Sequence, residues 1–112
     1  MKKYDLLIIP GGAKSLEKLR LEEDVLTFIS KWNAEGKVIA SICHGAQMLI
    51  SANVTKGKNI SGYYSIKDDI INSGANFVDD KFVVDGNIIS CPHYQWMGEW
   101  MKAVMDAYYN KR

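Results

Sequence analysis

The 112-residue sequence is poor in cysteine, with only Cys43 and Cys91. Small secreted domains that are held together by disulfides normally carry more cysteines, so the sequence does not predict a disulfide scaffold. A Cys43–Cys91 disulfide is geometrically feasible, but such a bond does not normally persist in the reducing cytosol. Two thiols in a chain of this kind are more often free, catalytic or redox-active.

The sequence also lacks an excess of charge of one sign and any long apolar run. Its 14 basic and 13 acidic residues leave a net charge of +1. This balance predicts no basic surface for nucleic acid or an anionic membrane. Near the N-terminus, Asp5 and Pro10 bracket only four strongly apolar residues, too few for a signal-peptide core or a membrane span. We therefore expect a cytoplasmic protein, folded as one domain over residues 1–112, with no nucleic-acid or membrane partner.

Signatures of a cofactor or a metal site are missing as well. The sequence contains no Gly-rich phosphate loop and no dinucleotide-binding fingerprint. Cys43, His44, Cys91 and His93 are residue types that zinc accepts, but structural zinc sites more often use two ligands a few residues apart, as in Cys-x-x-Cys. Because one of these pairs is adjacent in the sequence, we expect no metal, and we expect no cofactor.

What the sequence does contain is an alternation of apolar strands and amphipathic helices, which predicts an α/β fold. The predicted strands are 5–9, 37–42, 59–62, 76–78, 82–84 and 88–90. The predicted helices are 15–20, 20–34, 44–52, 65–74 and 93–109, with Ser65 as the N-cap of the fourth. Residues 85–87 (Asp-Gly-Asn) predict a hairpin between the last two strands.

The most informative stretch is 37–50, where an apolar strand passes into an apolar helix through a cysteine. Ser41 lies two residues before Cys43, and Gly45 lies two residues after it. Small residues at these positions leave room for the crowded backbone of a sharp strand-to-helix turn, which presents the side chain at its apex. The N-terminus of the following helix favours a thiolate there. The pattern predicts a reactive, low-pKa Cys43; the alternative is a small buried hydrophobe.

Residues 40–47 (ASICHGAQ) resemble the cysteine elbow of the ThiJ/PfpI superfamily, the intracellular-protease-like and Parkinson-protein-like members of the class I glutamine amidotransferase-like fold. Four further segments fit that superfamily in the same order: 4–12 (YDLLIIPGG), 20–21 (RL), 56–58 (KGK) and 83–87 (VVDGN). The resemblance therefore covers most of the chain. It implies a flavodoxin-like three-layer α/β/α sandwich with a mostly parallel sheet.

The resemblance also implies roles for individual residues. Cys43 is expected to be the nucleophile, and His44 to belong to the catalytic group while its backbone N–H serves an oxyanion hole. The other N–H of that hole is assigned to Gly12, with Gly11 in support; the alternative is a plain strand-to-helix turn. Glu17 corresponds to a glutamate that, in the protease-like branch, comes from a neighbouring subunit and orients the imidazole. The alternative for Glu17 is a solvated charge on a helix.

A second cluster, Cys91-Pro92-His93, follows the last predicted strand. Neighbouring parallel strands end on the same rim of an open α/β sheet, where ligands bind, so Cys91 and His93 are expected to line the site beside Cys43. Related glutamine amidotransferases draw their catalytic histidine from a comparable strand end, which makes His93 a rival to His44 as the general base. The alternative for His93 is a structural residue at a helix N-terminus.

The superfamily normally has some tens of residues before the strand that corresponds to 4–12. They supply two further strands, a helix and an acidic residue that contacts the nucleophile. Without them, the strand at 5–9 is expected to lie at an edge of the sheet with unpaired backbone groups. We expect a homo-oligomer, at least a dimer, or a separate chain to cover this edge; a truncated relic is the other interpretation.

Two functions follow from the resemblance. The first is a cysteine-dependent hydrolase that acts on a peptide or a small molecule, either peptidase- or amidase-like or detoxifying reactive aldehydes. The missing acidic residue disfavours the glyoxalase branch, whose chemistry relies on it. The alternative is a non-enzymatic stress protein, redox-sensing or chaperone-like, that uses an oxidisable Cys43.

Overall fold

A computed structural model describes residues 6–110, with the backbone alone described at 13–15 and 110. The predicted strand 5–9 and the motif 4–12 therefore begin outside the described residues. Within that range strands and helices alternate along the chain, which confirms the predicted α/β class.

The strands of residues 6–110 follow the apolar runs of the sequence. They are β1 (Leu6–Ile9), β2 (Val38–Ile42), β3 (Asn59–Ile60), β4 (Asn76–Phe77), β5 (Val83–Asp85) and β6 (Ile88–Cys91). The first four fall within the predicted ranges, whereas β5 and β6 each end one residue later than predicted. Strand β5 reaches Asp85 because the hairpin turns on Gly86 and Asn87 alone, with Gly86 at φ 60° as a tight two-residue turn requires. Strand β6 reaches Cys91 because that residue still pairs with Ile42 of β2.

Helices fill most of the intervening segments. They are α1 (Ala13–Leu19), α2 (Glu23–Ala34), α3 (Ala46–Ser51), α4 (Lys67–Asn72) and α5 (Met97–Asn110). Single 3₁₀ turns, Cys43–Gly45, Tyr64–Ile66 and Tyr94–Trp96, precede the last three helices, which therefore begin later than predicted. Across the described part of the chain, no helix has the length and hydropathy needed to cross a membrane.

A four-stranded sheet in the order β1-β2-β6-β5 organises the fold. The pairs β1–β2 and β2–β6 are parallel, and β5 joins the edge of β6 as an antiparallel hairpin strand. All five residues of β2 are buried, as expected for an inner strand that is covered on both faces. Strands β3 and β4 form a separate two-stranded parallel sheet. The mostly parallel sheet confirms the prediction of a flavodoxin-like architecture.

Two apolar clusters cover opposite faces of the main sheet and give the sandwich its three layers. Ile39 of β2 packs into the cluster that includes Ile29 of α2. Its neighbour Ala40 packs into the other cluster, as does Ile42, with Trp100 and Val104 of α5. This division follows from the alternation of side chains along a strand.

Strand β1 lies at an edge of the main sheet, as predicted for 5–9. Its Ile8 is 43% exposed. An apolar cavity of about 270 Å³ lies beside it, lined by β1, the Pro10–Gly12 loop, α1 and α2, with Met48 of α3. The described chain thus presents unpaired strand backbone next to apolar surface, the combination that sheet proteins normally cover.

Candidate active site

Strand β2 ends in a sharp turn with Cys43 at its apex. Ile42 is still extended, with φ −139° and ψ 144°. Cys43 has φ 55°, in the left-handed region, which costs a residue with a side chain roughly 1–2 kcal/mol. The 3₁₀ turn Cys43–Gly45 follows at once and leads into α3. This is the predicted strand-to-helix elbow, with the cysteine at its strained position.

Two glycines allow the elbow to pack against the loop that follows β1. A Cβ on Gly45 would overlap the backbone carbonyl oxygen of Ile9. A Cβ on Gly11 would lie 2.7 Å from Cys43 Cβ and 3.2 Å from the Ile42 carbonyl oxygen. Both positions therefore require glycine for close backbone approach, and the elbow is wedged against the loop expected to supply the oxyanion hole.

The surroundings of Cys43 disfavour its thiolate. The side chain is only 5% exposed. Burial raises the pKa of the Cys43 thiol, and the backbone N–H groups of Tyr94 and His44, directed at the sulfur, oppose that shift without cancelling it. This direction is opposite to the low pKa expected from the elbow. The physical reason is that the fold removes the thiol from water, and this desolvation outweighs the two backbone N–H groups.

The His44 ring packs against the segment after β3. It stacks on the Tyr63 ring with centroids 4.9 Å apart, and its Nε2 lies 3.3 Å from Ser65 Oγ. The prediction of Ser65 as a helix N-cap is wrong, because the N-cap position of α4 is occupied by Ile66 and has no side-chain cap. The backbone of His44 thus acts on Cys43, while its imidazole bonds the Ser65 hydroxyl.

Gly12 lies at the start of α1, and Glu17 lies on the exposed side of that helix. Gly12 has φ 144°, and its carbonyl oxygen accepts a 3.1 Å hydrogen bond from the Leu16 N–H. The Glu17 side chain is exposed and makes no hydrogen bond or ion pair with a described residue. The oxyanion role of Gly12 and the orienting role of Glu17 stay predictions.

Cys91 ends β6 directly beside the elbow, since Ile42 is its register partner on β2. It is fully buried and shares one apolar cluster with Cys43. Its Sγ donates a 3.3 Å hydrogen bond to the His93 carbonyl oxygen. Burial raises the pKa of the Cys91 thiol, the His93 N–H opposes the shift, and the charges of Cys43 and Glu99 add to it. The structure therefore brings the two cysteines together at one strand rim.

His93 has a structural role at a helix N-terminus, which was the alternative to its role as a general base. Its Nδ1 accepts a 3.1 Å hydrogen bond from the Gln95 N–H and caps the 3₁₀ turn that precedes α5. With Nδ1 occupied as an acceptor in this cap, that nitrogen is not available as a base for Cys43. Its ring nevertheless lies 6.1 Å from the Tyr63 ring, on the same rim as His44.

Two tyrosines of the site are missed by the sequence reasoning. Tyr63 donates its N–H to the Cys43 carbonyl oxygen at 3.0 Å and contacts both imidazoles through its ring. Tyr94 directs its N–H at the Cys43 sulfur, and its hydroxyl is 3.3 Å from where a Cβ on Gly11 would stand. Both tyrosines follow the ends of parallel strands, a position that places residues at the ligand rim of an α/β sheet.

The titratable residues at this rim do not form a metal site. Among residues 6–110, no three histidine, cysteine or carboxylate side chains come together in a way that holds a metal ion. The arrangement instead offers a buried thiol, backbone N–H donors directed at it and a partly exposed imidazole nearby, which are parts of a cysteine nucleophile site.

Comparison with known proteins places this architecture in a family. A model of the DJ-1/PfpI family matches residues 1–107. The chain is 45% identical over 103 residues to deglycase PfpI of Pyrococcus furiosus, covering 88% of this chain and 61% of that protein. It is 42% identical over 87 residues to putative cysteine protease YraA of Bacillus subtilis, covering 78% of this chain and 51% of that protein. The chain thus spans between half and two thirds of the length of these relatives.

The fold agrees with solved structures. A two-domain protein of Anabaena variabilis with DJ-1/ThiJ/PfpI-like and ferritin-like domains superimposes with a TM-score of 0.88 at 31% identity, covering 94% of this chain and 30% of that one. The resemblance of the elbow and of the flanking segments is therefore confirmed along nearly the whole sequence. The chain belongs to the DJ-1/PfpI family.

Proposed function

We propose that the protein is a cysteine-dependent hydrolase of the DJ-1/PfpI type, with Cys43 as its nucleophile. The observation that carries this proposal is the position of Cys43 at the left-handed apex of the elbow, with two backbone N–H groups directed at its sulfur. A nucleophile at such a turn stands clear of its own strand and meets a substrate from the open rim of the sheet. A structural cysteine needs no strained backbone.

The substrate class is a carbonyl compound that releases an amine. The two curated relatives are named as a deglycase and as a putative cysteine protease. Attack on a carbonyl or aldehyde-derived carbon next to nitrogen is common to removal of an aldehyde adduct and to cleavage of a peptide or amide bond. We therefore place peptidase-, amidase- and deglycase-like reactions within the proposal.

In this scheme the Cys43 thiol loses its proton and the sulfur attacks the carbonyl carbon. The N–H groups of Gly12 and His44 hold the developing oxyanion. The amine leaves with a proton, and water then releases the acyl group from the sulfur. Because burial raises the pKa of Cys43, little thiolate is present near neutral pH, and the scheme needs a base that takes up the thiol proton.

A base for that step comes from His44 together with a second copy of the chain. His44 Nε2 faces the Ser65 hydroxyl, while its Nδ1 has no hydrogen-bond partner among the described residues. Glu17 is exposed on α1 and free to reach another copy. A Glu17 carboxylate from a neighbouring subunit, replacing the Ser65 hydroxyl at Nε2, would orient the imidazole and leave Nδ1 to accept the Cys43 proton.

Assembly through the β1 edge is part of the same proposal. The exposed Ile8 and the apolar cavity of about 270 Å³ beside β1 provide a surface for a second copy or for a separate chain. A reducing compartment, the cytoplasm, suits the two free thiols. Light scattering coupled to gel filtration tests the assembly: a homo-oligomer is expected, and a stable monomer without any partner contradicts it.

The test of the activity compares wild type with Cys43→Ala, Cys43→Ser and Glu17→Gln. The substrates are a chromogenic peptide amide and an aldehyde-modified amino acid. We expect turnover that is lost in both Cys43 variants and reduced in Glu17→Gln. Turnover that persists in Cys43→Ala, with wild-type rate and pH profile, would overturn the proposal.

A redox-sensing, non-enzymatic stress role for Cys43 is the second candidate. The strained elbow that presents Cys43 at the ligand rim of the sheet supports it, because that position suits an oxidisable thiol as well as a nucleophile. Reversible sulfenic acid formation at Cys43 without turnover on either substrate class would select this function over hydrolysis.

A further inference from the structure

We propose that Cys91 is the resolving thiol of Cys43: after a hydroperoxide oxidises Cys43, Cys91 closes an intramolecular disulfide with it. Cys91 is a buried nucleophilic group that the hydrolytic scheme does not use. The inference concerns thiol oxidation and goes beyond the carbonyl chemistry proposed above.

The pairing register puts the two cysteines within disulfide reach. Ile42 on β2 is the register partner of Cys91 on β6, and Cys43 is the next residue after Ile42. Neighbouring strands lie about 4.8 Å apart and a strand rises about 3.3 Å per residue, which gives a Cα separation of about 6 Å. Disulfides span Cα separations of roughly 4.4–6.8 Å.

The elbow also turns Cys43 to the correct side of the sheet. Side chains alternate along a strand, so a regular continuation of β2 would send residue 43 to the face opposite that of Ile42 and Cys91. At φ 55° the chain leaves the strand instead, and Cys43 joins the cluster that holds Cys91, Ile42 and Trp100. The influence of the Cys43 charge on the pKa of Cys91 is consistent with this proximity.

Only weak interactions with the His93 backbone, its N–H and its carbonyl oxygen, hold the Cys91 thiol in its present orientation. Both cysteines are free, and Cys91 Sγ donates a 3.3 Å hydrogen bond to the His93 carbonyl oxygen. A thiol is a poor hydrogen-bond donor, so rotation of the Cys91 side chain toward Cys43 gives up little. No other side-chain partner of Cys91 has to be displaced among the described residues.

The chemistry balances in two steps. The Cys43 thiolate attacks one oxygen of the hydroperoxide; an S–O bond forms, the O–O bond breaks, and the alcohol or water leaves after protonation. The Cys91 thiolate then attacks the Cys43 sulfenic sulfur; the S–S bond forms, the S–O bond breaks, and hydroxide leaves as water with the proton that Cys91 has lost. The hydroperoxide takes up the two electrons, and a dithiol reductant restores both thiols by exchange.

A resolving thiol protects Cys43 from irreversible oxidation. A sulfenic acid without a resolving thiol proceeds to sulfinic acid, which is generally irreversible, whereas a disulfide is reversible. The disulfide is transient in a reducing compartment, the form in which cytosolic disulfides occur. While the disulfide persists, the Cys43 sulfur cannot attack a carbonyl, and the proposed hydrolase is inactive.

The experiment titrates the full chain with hydrogen peroxide, followed by alkylation of the remaining thiols and intact-mass measurement without reductant. Wild type is expected to lose both alkylatable thiols together, fall by about 2 Da, and yield one cross-linked peptide pair that dithiothreitol separates. In Cys91→Ser, Cys43 is expected to gain about 32 Da as sulfinic acid. In Cys43→Ser, Cys91 is expected to stay reduced, because full burial shields it from the peroxide, and to be alkylated once the protein is denatured.

The wild-type outcome is decisive even if a variant fails to fold. A wild-type Cys43 that gains oxygen while Cys91 stays alkylatable overturns the inference, as does a disulfide found only between two chains on non-reducing gels. No substrate is used, so a negative result leaves the loss of turnover in Cys43→Ala unaffected as a test of the hydrolase proposal.

Discussion

Replacement of Gly45 by alanine tests the packing on which the elbow depends. Gly45 has φ −55° and ψ −27°, an ordinary helical conformation, so its backbone does not require glycine. Helix propensity alone therefore predicts that alanine stabilises this position by up to about 1 kcal/mol. Packing predicts the opposite, because the added Cβ would overlap the Ile9 carbonyl oxygen.

The free-energy cost of the overlap exceeds the gain in helix propensity. Overpacking of a well-filled site costs about 1–3 kcal/mol, and the upper end applies where the obstructing atom is backbone rather than a flexible side chain. Ile9 is held by the pairing of β1 with β2 and cannot move away freely. After subtraction of the propensity gain, Gly45→Ala should lower the free energy of unfolding by about 2 kcal/mol.

Gly98→Ala is the matched control. Gly98 also lies at the start of a helix, α5, but a Cβ there meets no atom within 4 Å. The Gly98→Ala substitution should raise the free energy of unfolding by up to about 1 kcal/mol. Urea denaturation of both variants gives opposite signs if the elbow is packed as described. A Gly45→Ala protein as stable as wild type, with an unchanged m-value, would refute the reasoning.

Three further changes probe the rim. Gly11→Ala should slow Cys43 alkylation and cost about 1–3 kcal/mol in urea denaturation, because its Cβ would lie 2.7 Å from Cys43 Cβ; wild-type values for both would contradict the tight contact. His93→Ala should cost about 1 kcal/mol through loss of the cap, whereas His93→Asn should cost little; equal stabilities would remove the capping role. Burial raises the pKa of Cys91, so its contribution to stability is complete below about pH 8.5 and declines as the pH rises through its folded pKa. The stability difference between wild type and Cys91→Ala should therefore shrink above that pH, and a difference that grows would contradict the sign.

The sequence predicted the sheet and the elbow because their signals are local. An apolar run such as 37–42 identifies a buried inner strand, and the small residues Ser41 and Gly45 mark a crowded turn. Glycine at 11 was predicted as part of a loop, and the structure adds the reason, close approach to Cys43.

The parts of the site that sequence missed depend on contacts between distant segments. The raised pKa of Cys43 comes from burial by the surrounding fold, which no local motif encodes. Ser65 has the local signature of an N-cap, yet its hydroxyl bonds His44, a residue 21 positions earlier. Tertiary contact overrides a local capping preference in such cases.

The pH dependence of alkylation at Cys43, measured by intact mass with Cys91 as internal reference, tests most directly whether Cys43 is the reactive nucleophile of this chain. Cys43 is 5% exposed and Cys91 is 0% exposed, so Cys43 should be modified first at every pH. Its rate should rise about tenfold per pH unit through the neutral range, with a midpoint above that of a free cysteine thiol, because burial raises its pKa. Modification of Cys91 before Cys43, or a Cys43 that stays inert at alkaline pH, would contradict the assignment of Cys43 as the nucleophile.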